Sequence, residues 1–260
     1  VPHIAAGWGG GAKIIMPGVC GKETTDAIHM LSCTCQNVLE TCGSVDNLFR
    51  RTMEALAKKV GLAFIINTVL DEEKNLRGVF CGDFVKAHRA GVDFAREILC
   101  PSIPQRADVV IVSANPANAD FWQGAKPYVF AHFAVKRGGV IILLLSAEYG
   151  LCGCAPAHRQ ALLKYYNKSE ADILQALAEE ETTDILGLGE AFIRMQTEGF
   201  CKTLLISEGL GKDEAALLGF ELVDELEEAV QRARHLVGAN ATIGLIPHGG
   251  ELLCVASNEN

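Results

Sequence analysis

Asp108-Val109-Val110-Ile111-Val112-Ser113 and Gly139-Val140-Ile141-Ile142-Leu143-Leu144-Leu145 are the stretches whose reading decides the fold. Each is a short, nearly continuous apolar run. A strand with one wet face alternates apolar and polar residues, so these two read as strands buried on both faces, as in a parallel sheet. Parallel neighbours need a long crossover, and the helical segment 119–135 between them supplies it. Further helices are expected at 169–180, 188–198 and 224–237, and further strands at 203–207 and 242–247. The order predicts an α/β protein of two domains. The C-terminal one is a doubly wound, mostly parallel sheet with flanking helices, its ligand face at the carboxyl ends of the strands.

Upstream the pattern differs. Residues 46–60 have helical periodicity, with Asp46 or Ser44 as cap and Gly61 as stop. Two strands, 62–70 and 76–80, flank a polar turn, and 83–99 reads as a second amphipathic helix with Asp83 at its start. Cys100-Pro101-Ser102-Ile103-Pro104 is a rigid break, which places the domain boundary at 100/101. The expected domains are therefore 1–100 and 101–260.

The totals exclude several classes. The chain has 260 residues with a formal net charge of −9, so no basic stripe exists to neutralise nucleic-acid phosphates. The longest apolar run, residues 140–145, is far too short to cross a bilayer. No charged-then-apolar leader opens the chain, and a cytoplasmic location is the expectation. The ten cysteines are read as mostly free thiols of a reducing cytosol, since a chain this large and apolar does not need disulfides. Cys33, Cys35 and Cys42 form a candidate soft-metal site, although Cys-x-Cys alone lacks the paired spacing of structural zinc sites.

The chemistry concentrates near the start, in His3, Lys13 and His29 around Gly7-Trp8-Gly9-Gly10-Gly11. The glycines permit positive φ and close approach of backbone to a ligand. Lys13 opens Lys13-Ile14-Ile15-Met16, read as a dry strand whose desolvated lysine suits covalent attachment. His29 projects from a helix over 22–30 as a neutral imidazole, the commonest metal donor. The blander reading is a glycine turn, a surface lysine and two satisfied histidines. His88, His132, His158, His235 and His248 read as ordinary structural residues.

Taken together, His3-Ile4-Ala5-Ala6-Gly7-Trp8-Gly9-Gly10-Gly11-Ala12-Lys13-Ile14-Ile15-Met16-Pro17-Gly18, followed by His29, resembles the signature of the nickel-pincer nucleotide-dependent lactate racemase family. The likeness continues in residues 82–91 and 107–113. It implies that Lys13 carries a pyridinium-3-thioamide-5-thiocarboxylic acid mononucleotide covalently, that Gly9, Gly10 and Gly11 lie against it, and that His29 ligates its nickel. His3 would be one of two acid/base histidines. A second matching patch, Phe121-Trp122-Gln123-Gly124-Ala125-Lys126, implies that Gln123 and Lys126 hold the carboxylate of a small anionic 2-hydroxy acid, with racemisation by hydride transfer.

Three positions depart from the family pattern: Ala12 stands for arginine, Trp122 for tyrosine, and Pro127 follows Lys126, where it should break or kink a helix. The family's first part, with the nucleotide phosphate site and the partner histidine, is absent. The expectation is a fragment whose native N-terminal segment completes the site, with no nucleic-acid or membrane partner. The alternative function is a non-catalytic metal- or cofactor-handling protein using His29 with Cys33-x-Cys35 and Cys152-x-Cys154. A third is a degenerate member serving as an interaction module.

Overall fold

The structure is a computed structural model that describes residues 1–182 and 184–257; of Cys33 it describes the backbone only. The chain divides into two compact units, Val1–Pro101 and Ser102–Asn260.

The first unit opens with a minimal antiparallel pair, β1 (Pro2–His3) and β2 (Gly7–Trp8). The lysine segment is not the strand expected. Gly10 and Gly11, at φ 73° and 62°, turn the backbone, and Gly11–Ile14 form a single 3-10 turn. Next come α1 (Lys22–Cys35), five residues longer than expected, and the short α2 (Val38–Thr41). In α3 (Leu48–Lys59) the cap is Asn47 rather than Asp46 or Ser44: its side chain accepts from Arg50 N at 2.7 Å. Phe49, Met53 and Ala57 recur at four-residue spacing and pack on Ile28 of α1 and on Ala12 and Met16, making one core. A hairpin follows, β3 (Ile65–Leu70) and β4 (Leu76–Gly82). Against it packs α4 (Lys86–Leu99), with Asp83 Oδ1 accepting from Val85 N and Lys86 N at its start.

The second unit contains β5 (Ser102–Ile103), β6 (Ala107–Ser113), α5 (Phe121–Ala131), β7 (Val135–Leu144), α6 (Arg159–Tyr165), α7 (Glu170–Ala178) and α8 (Ile185–Thr197). It continues through β8 (Lys202–Ile206), α9 (Lys212–Leu217), β9 (Glu221–Leu222), α10 (Leu226–Val237), β10 (Ile243–Ile246) and β11 (Val255–Ala256). Its five-stranded sheet runs β10-β6-β7-β8-β9, every pair parallel. This is the expected doubly wound α/β arrangement. Val109, Val140, Ile142 and Leu204 face Ala229 and Ala233 of α10, whose small side chains let the helix lie close. Val112 and Leu145, on the other face, lie against α5 and the loop beside it.

Two details differ from expectation. Pro127 does not break α5, which runs through it to Ala131; a proline inside a helix removes one donor, here for the Gln123 carbonyl, and a buried flank can absorb that loss. Val135 does not end the helix but opens β7, because the register slips between Ala107↔Val135 and Val109↔Val140 and leaves Lys136, Arg137 and Gly138 exposed in an irregularity of the strand. A further small parallel pair, β5 with β11, brings the last described residues back to the start of the unit.

The carboxyl edge of the sheet is braced loop against loop. Ala147, buried and at φ 51°, stacks its carbonyl on Gly209, where an added Cβ would come within 1.7 Å of that oxygen. Gly209→Ala should therefore lower unfolding free energy by about 3 kcal/mol, read from urea denaturation.

Candidate active site

In the first unit the glycine segment is held by a buried arginine. Arg50 points from the apolar face of α3 into the loop and is fully buried. Its Nε and Nη2 donate to the Ala6 carbonyl at 3.3 and 3.2 Å, Nη1 donates to Gly10 O at 3.1 Å, and Nη2 also donates to Trp8 O. Burial pushes its pKa down to about 10, so it remains a cation. His88 supports the next carbonyl. Arg89 Nη1 lies 2.9 Å from His88 Nδ1, and a guanidinium only donates, so the ring proton sits on Nε2 and is given to Gly9 O at 2.9 Å. Trp8 Nε1 donates to Gly43 O at 2.7 Å. Gly7 is mandatory: at φ 73°, a Cβ there would lie 1.6 Å from Ser44 O.

This arrangement has a pH signature. Burial, with Arg50 and Arg89 nearby, pushes His88 down to about 4, against about 6.5 for an exposed imidazole. The unfolded chain then binds the proton more readily than the folded one. The neutral ring's contribution is complete above about pH 6.5 and is lost as pH falls towards 4. Melting temperatures across this window should fall less steeply for His88→Asn than for the wild type.

The three residues singled out in sequence sit on elements packed around this frame. His3 lies on β1, and its Nδ1 accepts from Ala5 N and Ala6 N at 3.2 and 3.1 Å, which puts the proton of the neutral ring on Nε2. His29 lies on α1 with Nδ1 against Thr25 O at 2.7 Å and its ring edge-on to Phe49 at 5.4 Å. Nδ1 must donate to that carbonyl, so the lone pair of the neutral ring is on Nε2, the form a metal takes. Lys13 lines a cavity of about 510 Å³ with Gly10, Gly11, Phe64, Ile66 and Asn67. His3, His29 and Gly9 are not among its lining residues.

In the second unit Trp122, Gln123 and Lys126 lie on α5, whose start is at the carboxyl edge of β6. Asp120 fixes that start. One carboxylate oxygen accepts from Gln123 N at 2.9 Å and the other from Cys154 N at 2.8 Å, while Trp122 N donates to Leu151 O at 2.9 Å. Lys126 Nζ donates to Gln123 Oε1 at 2.6 Å. Burial lowers the lysine pKa, opposed by Glu190 and Asp120. Burial also pushes Glu190 on α8 up to about 8, with Lys126 pulling the other way. Near neutral pH Glu190 is thus largely protonated and leaves the charge of Lys126 uncancelled. Beside them Trp122 stacks on His158, ring centroids 4.7 Å apart and planes 17° from parallel, and His158 Nδ1 bonds Asp184 Oδ1 at 2.7 Å.

Residues 1–40 match the lactate racemase N-terminal domain and residues 103–254 the lactate racemase C-terminal domain, the latter alone more than half of the chain. The chain belongs to the lactate racemase family. It is 29% identical over 255 residues to the lactate racemase of Lactiplantibacillus plantarum, covering 95% of this chain and 58% of that protein. To the lactate racemase of Thermoanaerobacterium thermosaccharolyticum it is 28% identical over 254 residues, with the same coverage of 95% and 58%. The chain thus spans 58% of the length of these relatives. The lactate racemase apoprotein structure from T. thermosaccharolyticum superposes with a TM-score of 0.81 at 26% identity, over 97% of this chain and 60% of that one. A Thermotoga maritima protein superposes with a TM-score of 0.75 at 17% identity, over 99% and 65%, which shows the fold alone.

Seen as a lactate racemase family member, the chain holds features that sequence reading passed over. Arg50 carried a signal, a lone cation on the face of Phe49 and Met53. So did Glu190, a lone acid in the apolar run of α8. The pairing of His158 with Asp184 carried none. Of the thiols offered as metal ligands, Cys33 has no described side chain, Cys35 and Cys154 are exposed, and Cys42 and Cys152 are buried. Burial raises the Cys42 and Cys152 pKa values, which disfavours the thiolate a metal needs. Among the described residues no three His, Cys, Asp or Glu side chains cluster as a metal site. No described helix is long and apolar enough to cross a membrane.

Proposed function

We propose that this chain is the cofactor-tethering and substrate-carboxylate-holding part of a racemase or epimerase of small 2-hydroxy acids. The observation that carries the reading is Lys13 on the wall of a cavity of about 510 Å³ that Gly10, Gly11, Phe64 and Ile66 also line. A planar pyridinium nucleotide fits such a place. The volume is in the range of cofactor pockets, the apolar residues suit an aromatic ring, and the amine supplies the attachment point. Lys13 would be the covalent tether and Gly10 and Gly11 would give backbone contact in the cavity; Gly9 and His29, which do not line it, would add backbone contact and nickel ligation through Nε2, as the family resemblance implies. When bound, the nickel-pincer nucleotide supplies a group that takes hydride from the α-carbon and returns it.

The chain's own residues do the rest. The Lys126 ammonium and the Gln123 amide, already in contact, hold the substrate carboxylate; protonated Glu190 keeps the cation available. His3 manages the hydroxyl proton. With Nδ1 engaged by Ala5 and Ala6, the neutral ring carries its proton on Nε2 and from there donates a hydrogen bond to the substrate oxygen; the imidazolium is the form that gives a proton to a 2-oxo acid. Taking a proton at Nε2 instead requires the other tautomer and the loss of those two backbone bonds. A second acid/base histidine and the nucleotide phosphate site would come from a further segment of the protein. The reduced thiols suit a cytoplasmic setting.

Peptide mapping of protein matured in a host that makes the cofactor tests the reading. A mass adduct on Lys13 and about one nickel per chain are expected. Racemase activity with an unmodified Lys13 would sink it.

A further inference from the structure

The second unit contains an Asp–His–Trp stack that the carboxylate-holding role of Lys126 and Gln123 does not use. Trp122 is four residues from Lys126 on α5, so the indole and the ammonium emerge on one face of the helix. His158 covers the indole at 4.7 Å, nearly parallel. His158 is fixed in turn: its Nδ1 bonds Asp184 Oδ1 at 2.7 Å, and that same oxygen accepts from Gly187 N at 3.0 Å as the cap of α8. The other Asp184 oxygen is buried with no hydrogen-bond partner among the described residues. A carboxylate left half satisfied at a helix start costs stability and persists where the surroundings demand its position. Gly187 makes that position possible, since a Cβ there would come within 2.5 Å of Asp184 Oδ2 and 2.7 Å of Ala161.

The result is a rigid aromatic wall beside one cation. With Glu190 protonated, the remaining fixed charge is mostly acidic: Asp120 acts on Lys126, and Asp120 and Asp184 act, against Arg159, on the nearby Cys152. Arg159, the neighbour of His158, is turned towards Glu214 at 3.8 Å. One substrate carboxylate is matched here, and a second would meet repulsion.

We propose that Trp122, held flat by His158 and Asp184, is the specificity wall of the substrate site, and that the preferred substrate is a monocarboxylic 2-hydroxy acid with a flat aromatic side chain. The assignment rests on the carboxylate-holding role of Lys126 given above. Trp122 touches the substrate side chain; His158 and Asp184 are positioning residues. Stacking of one more ring on a fixed indole contributes enough to favour the aromatic acid over lactate by about tenfold.

The test needs no variant to begin. The chain has two tryptophans, and Trp8 is buried in the first unit at 1% exposure, so ligand-dependent fluorescence changes report on Trp122. Titration of the purified protein with 3-phenyl-2-hydroxypropanoate, lactate and malate should give saturable quenching, with the aromatic acid bound about tenfold tighter than lactate and malate weakest. His158→Ala should weaken the aromatic acid about tenfold and lactate less than twofold, and His158→Phe, which keeps a stacked ring, should restore most of the difference. In turnover the effect should fall on KM rather than kcat. Equal affinity for lactate and the aromatic acid, or a loss that His158→Ala spreads evenly over both, overturns the proposal. Preferential binding of the aromatic acid with no racemisation by cofactor-loaded protein would leave the wall standing and overturn the racemase reading instead.

Discussion

Arg50→Met lowers the unfolding free energy of the protein by about 3–5 kcal/mol and abolishes loading of Lys13. Methionine fills much of the volume, so the loss measures the donors. Three carbonyls, of Ala6, Trp8 and Gly10, accept from the guanidinium; without it the buried Ala6 and Trp8 oxygens lose that donor, while Gly10 O, in an exposed residue, keeps Lys13 N at 3.3 Å. The loop they belong to is otherwise tied by His88 at Gly9 O and by Trp8 at Gly43 O, and its glycine backbone at positive φ is costly to order because it is as free when unfolded as any chain can be. Lysine should not rescue, since one ammonium cannot reach carbonyls that a planar fork serves from several directions. Urea denaturation and the mass of the matured protein read the two effects separately, and a stable Arg50→Met protein with a modified Lys13 would refute the role.

Lys126→Met acts on the other unit and in the opposite balance of effects. On the proposed role it should reduce kcat/KM for a 2-hydroxy acid by about 10²–10³-fold, because the substrate carboxylate would lose its charged partner in a half-buried site. Stability changes little. The lysine is itself held against its solvation, with its pKa lowered by burial, and an apolar chain of similar length relieves that cost. Glu190 loses the cation that pulled its pKa down and titrates still higher than about 8, remaining neutral across the working range. A variant that melts normally and has lost activity therefore fits the proposed role. One that retains kcat/KM within threefold does not.

The sheet was legible in the chain because parallel strands buried on both faces have no polar alternation to hide them. β6, β8 and β10 lie within a residue or two of their expected places. The exceptions have local causes. β7 begins four residues early because its polar stretch sits in a register slip. The lysine segment looked like a strand because apolar runs of four residues fit either periodicity, and the positive φ of Gly10 and Gly11 decided for a turn. The candidate site residues stand out in the chain by type and spacing, whereas the residues packed around them do not. Arg50 reaches back more than forty residues to the loop it holds, and Asp184 lies 26 positions from His158. Pairings of that kind are made by packing, and one sequence contains no trace of which buried charge meets which carbonyl.

Asp120 spends its two oxygens on different parts of the chain, one on the first turn of α5 and one on Cys154 in the loop that leads to His158. The proposed carboxylate holder and aromatic wall are therefore pinned together by Asp120, beside the backbone bonds of Phe121 N and Trp122 N to Gly150 O and Leu151 O. Any graft that exchanges the 150–158 loop for another, to alter which acid is taken, inherits the demand for an N–H at the place of Cys154. Without it the new loop would drag Gln123 and Lys126 out of line with the surface it was meant to reshape.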